Sequence, residues 1–178
     1  MSLHRKFALA ATVIGWLSSP AWCEDFGRPA TPAEISLWDI DVRPDGQGLP
    51  DGSGTAAHGK EVYQQNCEAC HGANGVGGIY DRLAGGQGTL ATDKPVKTIG
   101  SYWPYATTLF DYIRRAMPFP SPGSLSNDDT YAVVAYLLSL NGILPADGKL
   151  DRQTLSKVTM PNRDGFIPDA VFKIDNER

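Results

Sequence analysis

Two cysteines and a histidine form the most chemically specific pattern in this chain of 178 residues. Cys67 and Cys70 are separated by two residues, and His71 follows the second cysteine directly. Such a pair could be a redox dithiol or half of a zinc site. A zinc site would need carboxylates as well, because after residue 23 the chain has no other cysteine and only one other histidine, His58.

The Cys-x-x-Cys-His order is also the attachment signal for c-type haem. Thiols about one helical turn apart can form thioether bonds with the two vinyl groups, and His71 follows where its ring can reach the iron. A redox dithiol would be expected at the start of a helix in a βαβ unit, and no such pattern surrounds Cys67. The motif therefore predicts one covalently bound haem c, since it occurs once.

Met117 is the predicted second axial ligand of the iron. It follows a predicted helix and precedes Pro118, so its sulfur lies in a segment that cannot continue as helix. Met160 and His58 are the competing ligands, and a core packing role is the alternative for Met117. Histidine and methionine ligation raises the reduction potential and favours one-electron transfer. An open iron would instead indicate a haem enzyme.

Residues 1–23 resemble a secretory signal peptide. His4, Arg5 and Lys6 precede an apolar run over residues 7–17, which is too short to span a bilayer. This predicts export to the periplasm and no membrane span in the mature chain. Lipidation at Cys23 is the alternative, although bulky Trp22 disfavours it.

Acidic residues outnumber basic residues in the expected mature chain. Removing residues 1–23 removes Arg5 and Lys6 and no acidic residue, which leaves 14 basic and 20 acidic residues and a net charge of −6. This balance gives no electrostatic basis for nucleic-acid binding and favours partners with positive patches.

Three helices are predicted around the motif. Helical spacing and capping residues predict helices over 55–66, 105–117 and 126–140. Gly59 is expected to let another helix cross closely. The regions 24–54 and 143–178 are rich in turn residues and are predicted as irregular extensions on either side of a haem domain over 55–142.

Aromatic and basic side chains near Met117 are candidates for binding the haem propionates. Trp103, Tyr102 and Tyr105 could donate hydrogen bonds to a buried carboxylate, although packing in the core is an equal alternative. Arg114 and Arg115 could form ion pairs with propionates, but an exposed helix face is the more ordinary position for them.

The chain resembles class I cytochrome c. Gly59, Tyr63, the Cys67–His71 motif, Met117-Pro118 and Tyr136-Leu137 carry this resemblance. It implies an all-α, class I cytochrome c fold whose first and last helices cross. Class I cytochromes commonly have a proline two residues before the leucine that packs on the haem, and here Asp81 stands in that place before Leu83. The carbonyl that receives the His71 ring N–H must come from this altered loop.

A sharper resemblance is to the cytochrome subunits of the sulfur-oxidation (Sox) system. The similar segments are residues 28–32, 38–46, 84–90, 100–109 and 161–167. The resemblance implies that a molybdenum-containing sulfite or sulfur dehydrogenase donates electrons to the chain, and that a soluble carrier such as another cytochrome c accepts them. Those subunits often have a second haem domain, which this sequence lacks. A mobile carrier serving several partners and an open-iron haem enzyme are the alternatives.

Overall fold

The computed structural model describes residues 27–167. The expected signal peptide and the last eleven residues lie outside the described residues. The chain divides into two compact units after Asp39. In the first unit, helix α1 (Pro32–Ser36) begins at the N-cap Thr31, whose side chain accepts a hydrogen bond from the backbone of Glu34 while the Glu34 carboxylate caps Thr31 in return. This capping box fixes the start of a helix of only five residues.

The second unit contains the remaining elements in chain order. They are β1 (Ser53–Thr55), α2 (Ala56–Asn66), the single turn α3 (Glu68–His71), α4 (Ala106–Ala116), α5 (Asn127–Leu140) and β2 (Lys149–Asp151), with short 3₁₀ turns over Ala73–Gly75 and Leu155–Lys157. The three main helices confirm the predicted ones, each shortened by one or two end residues. Thr55 and Ser126 cap α2 and α5.

Helices α2 and α5 cross at a glycine. A Cβ atom placed on Gly59 would lie 1.8 Å from the carbonyl oxygen of Ala132, so any side chain there would force the helices apart. Tyr63 and Tyr136 continue the contact, with ring centroids 5.4 Å apart. This crossing confirms the expected relation between the first and last helices of the haem domain.

Helix α5 is more deeply buried than its amphipathic pattern predicted. Every residue from Thr130 to Leu138 is buried, because α2, α4 and β1 all pack against this helix. On the α4 side, the rings of Phe110 and Tyr131 lie 4.5 Å apart. The central position of α5 makes it the core around which the other elements are arranged.

Segments outside the predicted haem domain are packed against it by specific contacts. Strand β1 pairs antiparallel with β2, with Gly54 opposite Leu150, and this small sheet was missed by the sequence analysis. Residues 40–54 also contact the helices: the Val42 N–H donates to the Asp111 carboxylate over 2.9 Å, and the Tyr131 hydroxyl donates to the Pro50 carbonyl over 2.9 Å. Within residues 27–167, no helix has the length and apolar character needed to cross a bilayer.

Candidate functional site

The two cysteines lie at the junction of α2 and α3. Cys67 ends α2, with its N–H donating to the Tyr63 carbonyl over 2.8 Å, and the N–H of Cys70 donates to the Cys67 carbonyl over 3.1 Å. Both thiols are free and half-buried. One turn of helix therefore separates them, as the spacing predicted.

The environment of Cys67 does not resemble that of a redox-active thiol. Burial, with a smaller contribution from Cys70, raises the pKa of Cys67 to about 11. Reactive dithiols have lowered pKa values, because the thiolate is the nucleophile. In residues 27–167, no group of three or more His, Cys, Asp and Glu side chains is placed to hold a metal ion. The geometry thus favours covalent attachment of a group over thiol exchange.

The loop after the motif orients the His71 ring. The Nδ1 atom of His71 lies 2.9 Å from the backbone carbonyl oxygen of Asp81, so Nδ1 donates its proton there and leaves Nε2 as a free acceptor. The loop is held in turn by hydrogen bonds from Tyr80 N–H to the Cys70 carbonyl and from Leu83 N–H to the Gly75 carbonyl. Asp81 occupies the position of the usual proline. Because the acceptor is its backbone carbonyl, the hydrogen bond to His71 does not depend on the side chain at this position.

Met117 directly follows the last residue of α4 and caps that helix. Its N–H donates to the Ile113 carbonyl over 3.0 Å, and its backbone then becomes extended (φ −122°, ψ 151°) at the bond to Pro118. The side chain is half-buried and packs against the core. The helix end and the proline therefore fix the backbone at a residue that lines the cavity.

One cavity of about 480 Å³ brings Cys67, Cys70, His71 and Met117 together. Its walls are mainly apolar side chains from the post-motif loop, α4, the Met117 segment and α5: Leu83, Ile99, Trp103, Leu109, Ile113, Leu125, Val133 and Leu137. Two thiols, an oriented imidazole and a thioether around an apolar volume fit a large flat metal–organic group such as haem. The four predicted residues are therefore gathered at one site.

Of the residues proposed to bind the haem propionates, one lines the cavity and four do not. Trp103 lines the cavity, with its ring 5.8 Å from that of Tyr112. The remaining propionate candidates are not among the cavity-lining residues. Arg114 donates to the Ile40 carbonyl over 3.1 Å, and Arg115 pairs with the Asp111 carboxylate. Tyr102 and Tyr105 contact the basic side chains of Lys97 and Arg163 respectively.

Neither competing ligand reaches the cavity. Met160 is 1% exposed and belongs to the hydrophobic core. His58 lies at the start of α2, where its Nε2 atom is 2.9 Å from the Asp129 carboxylate.

Sequence reasoning overlooked Arg82 and Lys97, which line the cavity, because neither belongs to a motif and both lie in loops.

Comparisons with known proteins indicate the family of the chain. The cytochrome c family model matches residues 56–141. A crystal structure of the sulfane dehydrogenase SoxCD from Paracoccus pantotrophus contains a chain with 48% sequence identity and a TM-score of 0.78, and the match covers 85% of this chain and 75% of that one.

Two curated sequences are more distant relatives. A thiosulfate dehydrogenase of Stutzerimonas stutzeri is 29% identical over 137 residues, and one of Psychrobacter arcticus is 30% identical over 83 residues. These matches cover 70% and 47% of this chain, but only 43% and 25% of the relatives. The chain thus spans less than half the length of either curated relative.

Proposed function

Because the chain belongs to the cytochrome c family, whose domain implies covalently bound haem c, we propose that it transfers single electrons through one haem. The observation that carries this proposal is the convergence of Cys67, Cys70, His71 and Met117 on one mainly apolar cavity. The sequence has one Cys-x-x-Cys-His motif, which supports a single haem.

The four residues have three roles in this proposal. Cys67 and Cys70 would form the thioether bonds to the haem, His71 would bind the iron through Nε2, and Met117 would bind it through sulfur. The haem supplies an iron that cycles between ferric and ferrous states, and methionine ligation favours a high potential. The Asp81 carbonyl supports the role of His71, since it holds the ring and its tautomer in place. The apolar walls would exclude water from the haem, and so limit the rearrangement of solvent when the iron changes its oxidation state.

The proposed location is the periplasm, with residues 1–23 removed as a signal peptide. The order of positive, apolar and small residues supports export. Covalent attachment is also suited to a dilute compartment outside the cytoplasm, because the cofactor cannot dissociate.

The proposed electron donor is a molybdenum-containing sulfite or sulfur dehydrogenase, and the chain is its non-catalytic electron-accepting subunit. The 48% identity to a chain of the sulfane dehydrogenase SoxCD structure supports this partner. Electrons would pass onward to a soluble acceptor such as another cytochrome c.

Reduction by a purified partner tests the proposal. The oxidised holoprotein is mixed in a stopped-flow instrument with sulfite or thiosulfate, with and without a molybdenum-containing sulfur dehydrogenase from the same organism. We expect rapid appearance of the ferrous spectrum only when the dehydrogenase is present. No reduction by any such dehydrogenase, in a holoprotein that chemical reductants still reduce, would reject this donor.

A haem enzyme is the second candidate, since both curated relatives are named thiosulfate dehydrogenases. This candidate requires an iron that substrates can reach. It predicts carbon monoxide binding to the ferrous protein and thiosulfate-dependent reduction by the chain alone. A mobile carrier without a fixed partner is distinguished by gel filtration, where it elutes separately from the dehydrogenase at physiological salt.

A further inference from the structure

Charged side chains are few in the wall of the cavity. Among the residues that line it, only Arg82 and Lys97 are basic and only Asp81 is acidic. A haem carries two propionate carboxylates, and a carboxylate at an apolar cavity is costly unless it is paired. We propose that Lys97 binds a propionate carboxylate, and that the C-terminal segment 160–166 positions Lys97 through Tyr102. The proposal rests on the haem of the proposed function.

The backbone around Lys97 is fixed by side chains buried beside it. The Ser101 hydroxyl donates to the Val96 carbonyl over 2.6 Å and accepts from the Thr98 N–H over 2.9 Å. The Ile99 N–H donates to the Leu83 carbonyl, which ties this segment to the post-motif loop. Lys97 therefore projects from a rigid position even though its own side chain is exposed.

The Lys97 ammonium group is held over an aromatic ring. Its Nζ atom lies 5.0 Å from the centroid of Tyr102, a cation–π distance. Lys97 lines the cavity and Tyr102 does not, so the Tyr102 ring contacts the ammonium group of a cavity-lining residue from outside the lining. This contact limits the rotamers of a side chain that would otherwise be free in solvent.

The C-terminal segment also contacts Tyr102. The Asn162 side-chain amide donates to the Tyr102 carbonyl over 2.7 Å, and the Phe166 ring packs edge-on against Tyr102 at 5.2 Å. Buried Met160 anchors the start of the segment. A Cβ atom on Gly165 would lie 1.8 Å from the Asn162 Oδ1 atom, so a side chain there would displace the amide group that bonds to Tyr102.

Arg82 has a different position in the site. It directly follows Asp81, whose carbonyl accepts the hydrogen bond from the His71 ring. Arg82 therefore belongs to the loop that orients His71. Lys97 is the lining cation whose side chain is held by an aromatic contact. This difference makes Arg82 a useful comparison in the test.

The reduction potential of the isolated holoprotein tests the role of Lys97. Removing a cation beside a carboxylate stabilises the more positive ferric state. We expect Lys97→Met to raise the ferric-to-ferrous ratio about threefold to tenfold at a fixed ambient potential, the effect of one charge in a partly screened site. Lys97→Arg should restore the ratio. Lys94→Met, at an exposed lysine outside the cavity, is the matched control and should leave it unchanged.

Two results would overturn the propionate assignment. One is a Lys97→Met potential equal to that of Lys94→Met in a protein with an unchanged low-spin spectrum. The other is a shift caused by Arg82→Met but not by Lys97→Met, which would place the carboxylate pairing on the other cation. Chemical mediators set the potential, so either result is independent of whether a sulfur dehydrogenase is the electron donor.

A double-mutant cycle tests the positioning role of the C-terminal segment. We expect Phe166→Ala to shift the potential in the same direction as Lys97→Met, but by less, and to cause no further shift when Lys97 is already methionine. Two results would show that the segment does not act through Lys97. One is a Phe166→Ala shift of the reduction potential that is equal in the wild-type protein and in Lys97→Met. The other is no shift when Phe166→Ala is made in the wild-type protein.

Discussion

The His71 ring donates its Nδ1 proton to the backbone carbonyl of Asp81, over 2.9 Å. This bond joins the last residue of the haem-attachment motif to a loop residue ten positions later, and it uses no atom of the Asp81 side chain. It explains how the loop keeps its function without the proline that class I cytochromes commonly have there. The imidazole is oriented by main-chain geometry, which Gly75 and Leu83 stabilise through their own hydrogen bond.

Replacing Asp81 with alanine should therefore leave the haem ligation intact. The acceptor for His71 is retained, and the exposed carboxylate has no structural role, so the free energy of unfolding should change by less than about 0.5 kcal/mol. Absorption spectroscopy and urea unfolding check this, with Asp93→Ala as an exposed control. A high-spin spectrum in Asp81→Ala would mean that the side chain itself holds the loop.

Replacing Met117 tests the proposed axial ligand. We expect Met117→His to keep a low-spin spectrum and to lower the reduction potential, because imidazole stabilises ferric iron more than a thioether does. Met117→Ala should open the iron to carbon monoxide. Met160→Leu, at the buried core methionine, is the control and should keep the wild-type spectrum. An unchanged spectrum in both Met117 variants would exclude this residue as the ligand.

Adding a methyl group at Gly59 should destabilise the fold. The new Cβ atom would meet the Ala132 carbonyl at 1.8 Å, so the two helices must separate. Overpacking of this kind costs about 1–3 kcal/mol. Urea unfolding of Gly59→Ala measures the loss, with Ala57→Leu on the exposed side of the same helix as the control. A loss no larger than in the control would show that the crossing can relax.

His58 should make stability depend on pH. Its hydrogen bond to Asp129, with a smaller contribution from Glu61, raises the pKa of His58 above its ordinary value of about 6.5. The stabilisation is complete below about pH 6.5 and is lost as the pH rises through the higher folded-state value. The loss should stay below about 1 kcal/mol, because the pair is exposed and the start of a helix disfavours a positive charge.

The measurement for His58 is urea unfolding across this pH range. His58→Gln should remove the decline in stability above about pH 6.5, since glutamine does not titrate. If the same decline persists in His58→Gln, another group is responsible for it.

Removing the Asp111 carboxylate should loosen residues 40–54. This buried group accepts from the Val42 N–H over 2.9 Å and pairs with Arg115. Asp111→Ala leaves a buried N–H without its acceptor and should cost about 1–3 kcal/mol. Limited proteolysis should then cut within residues 40–54 sooner than in Asp93→Ala. An unchanged cleavage rate would show that Leu49 and the small sheet hold the segment without this bond.

Local sequence determined the elements that carry the site. Cys67, Cys70 and His71 are adjacent in the chain, so one helical turn suffices to place them, and the caps Thr55 and Ser126 fix where the long helices begin. Gly59 already indicated a close helix crossing. These features depend on backbone hydrogen bonds between residues a few positions apart. Such local structure imposes a regular spacing of residue types, which can be recognised in the sequence.

The tertiary structure decided the features that depend on distant residues. Asp81 was identified as the acceptor for His71 only by the path of the loop, and β1 pairs with β2 across nearly a hundred residues that no local pattern connects. Tyr102 was a candidate for donating a hydrogen bond to a haem propionate, yet it does not line the cavity and its ring contacts Lys97 and Phe166. Sequence spacing fixes which residues share a helix turn, whereas packing alone decides which side of a loop residue faces the cavity, because a loop has no repeating period.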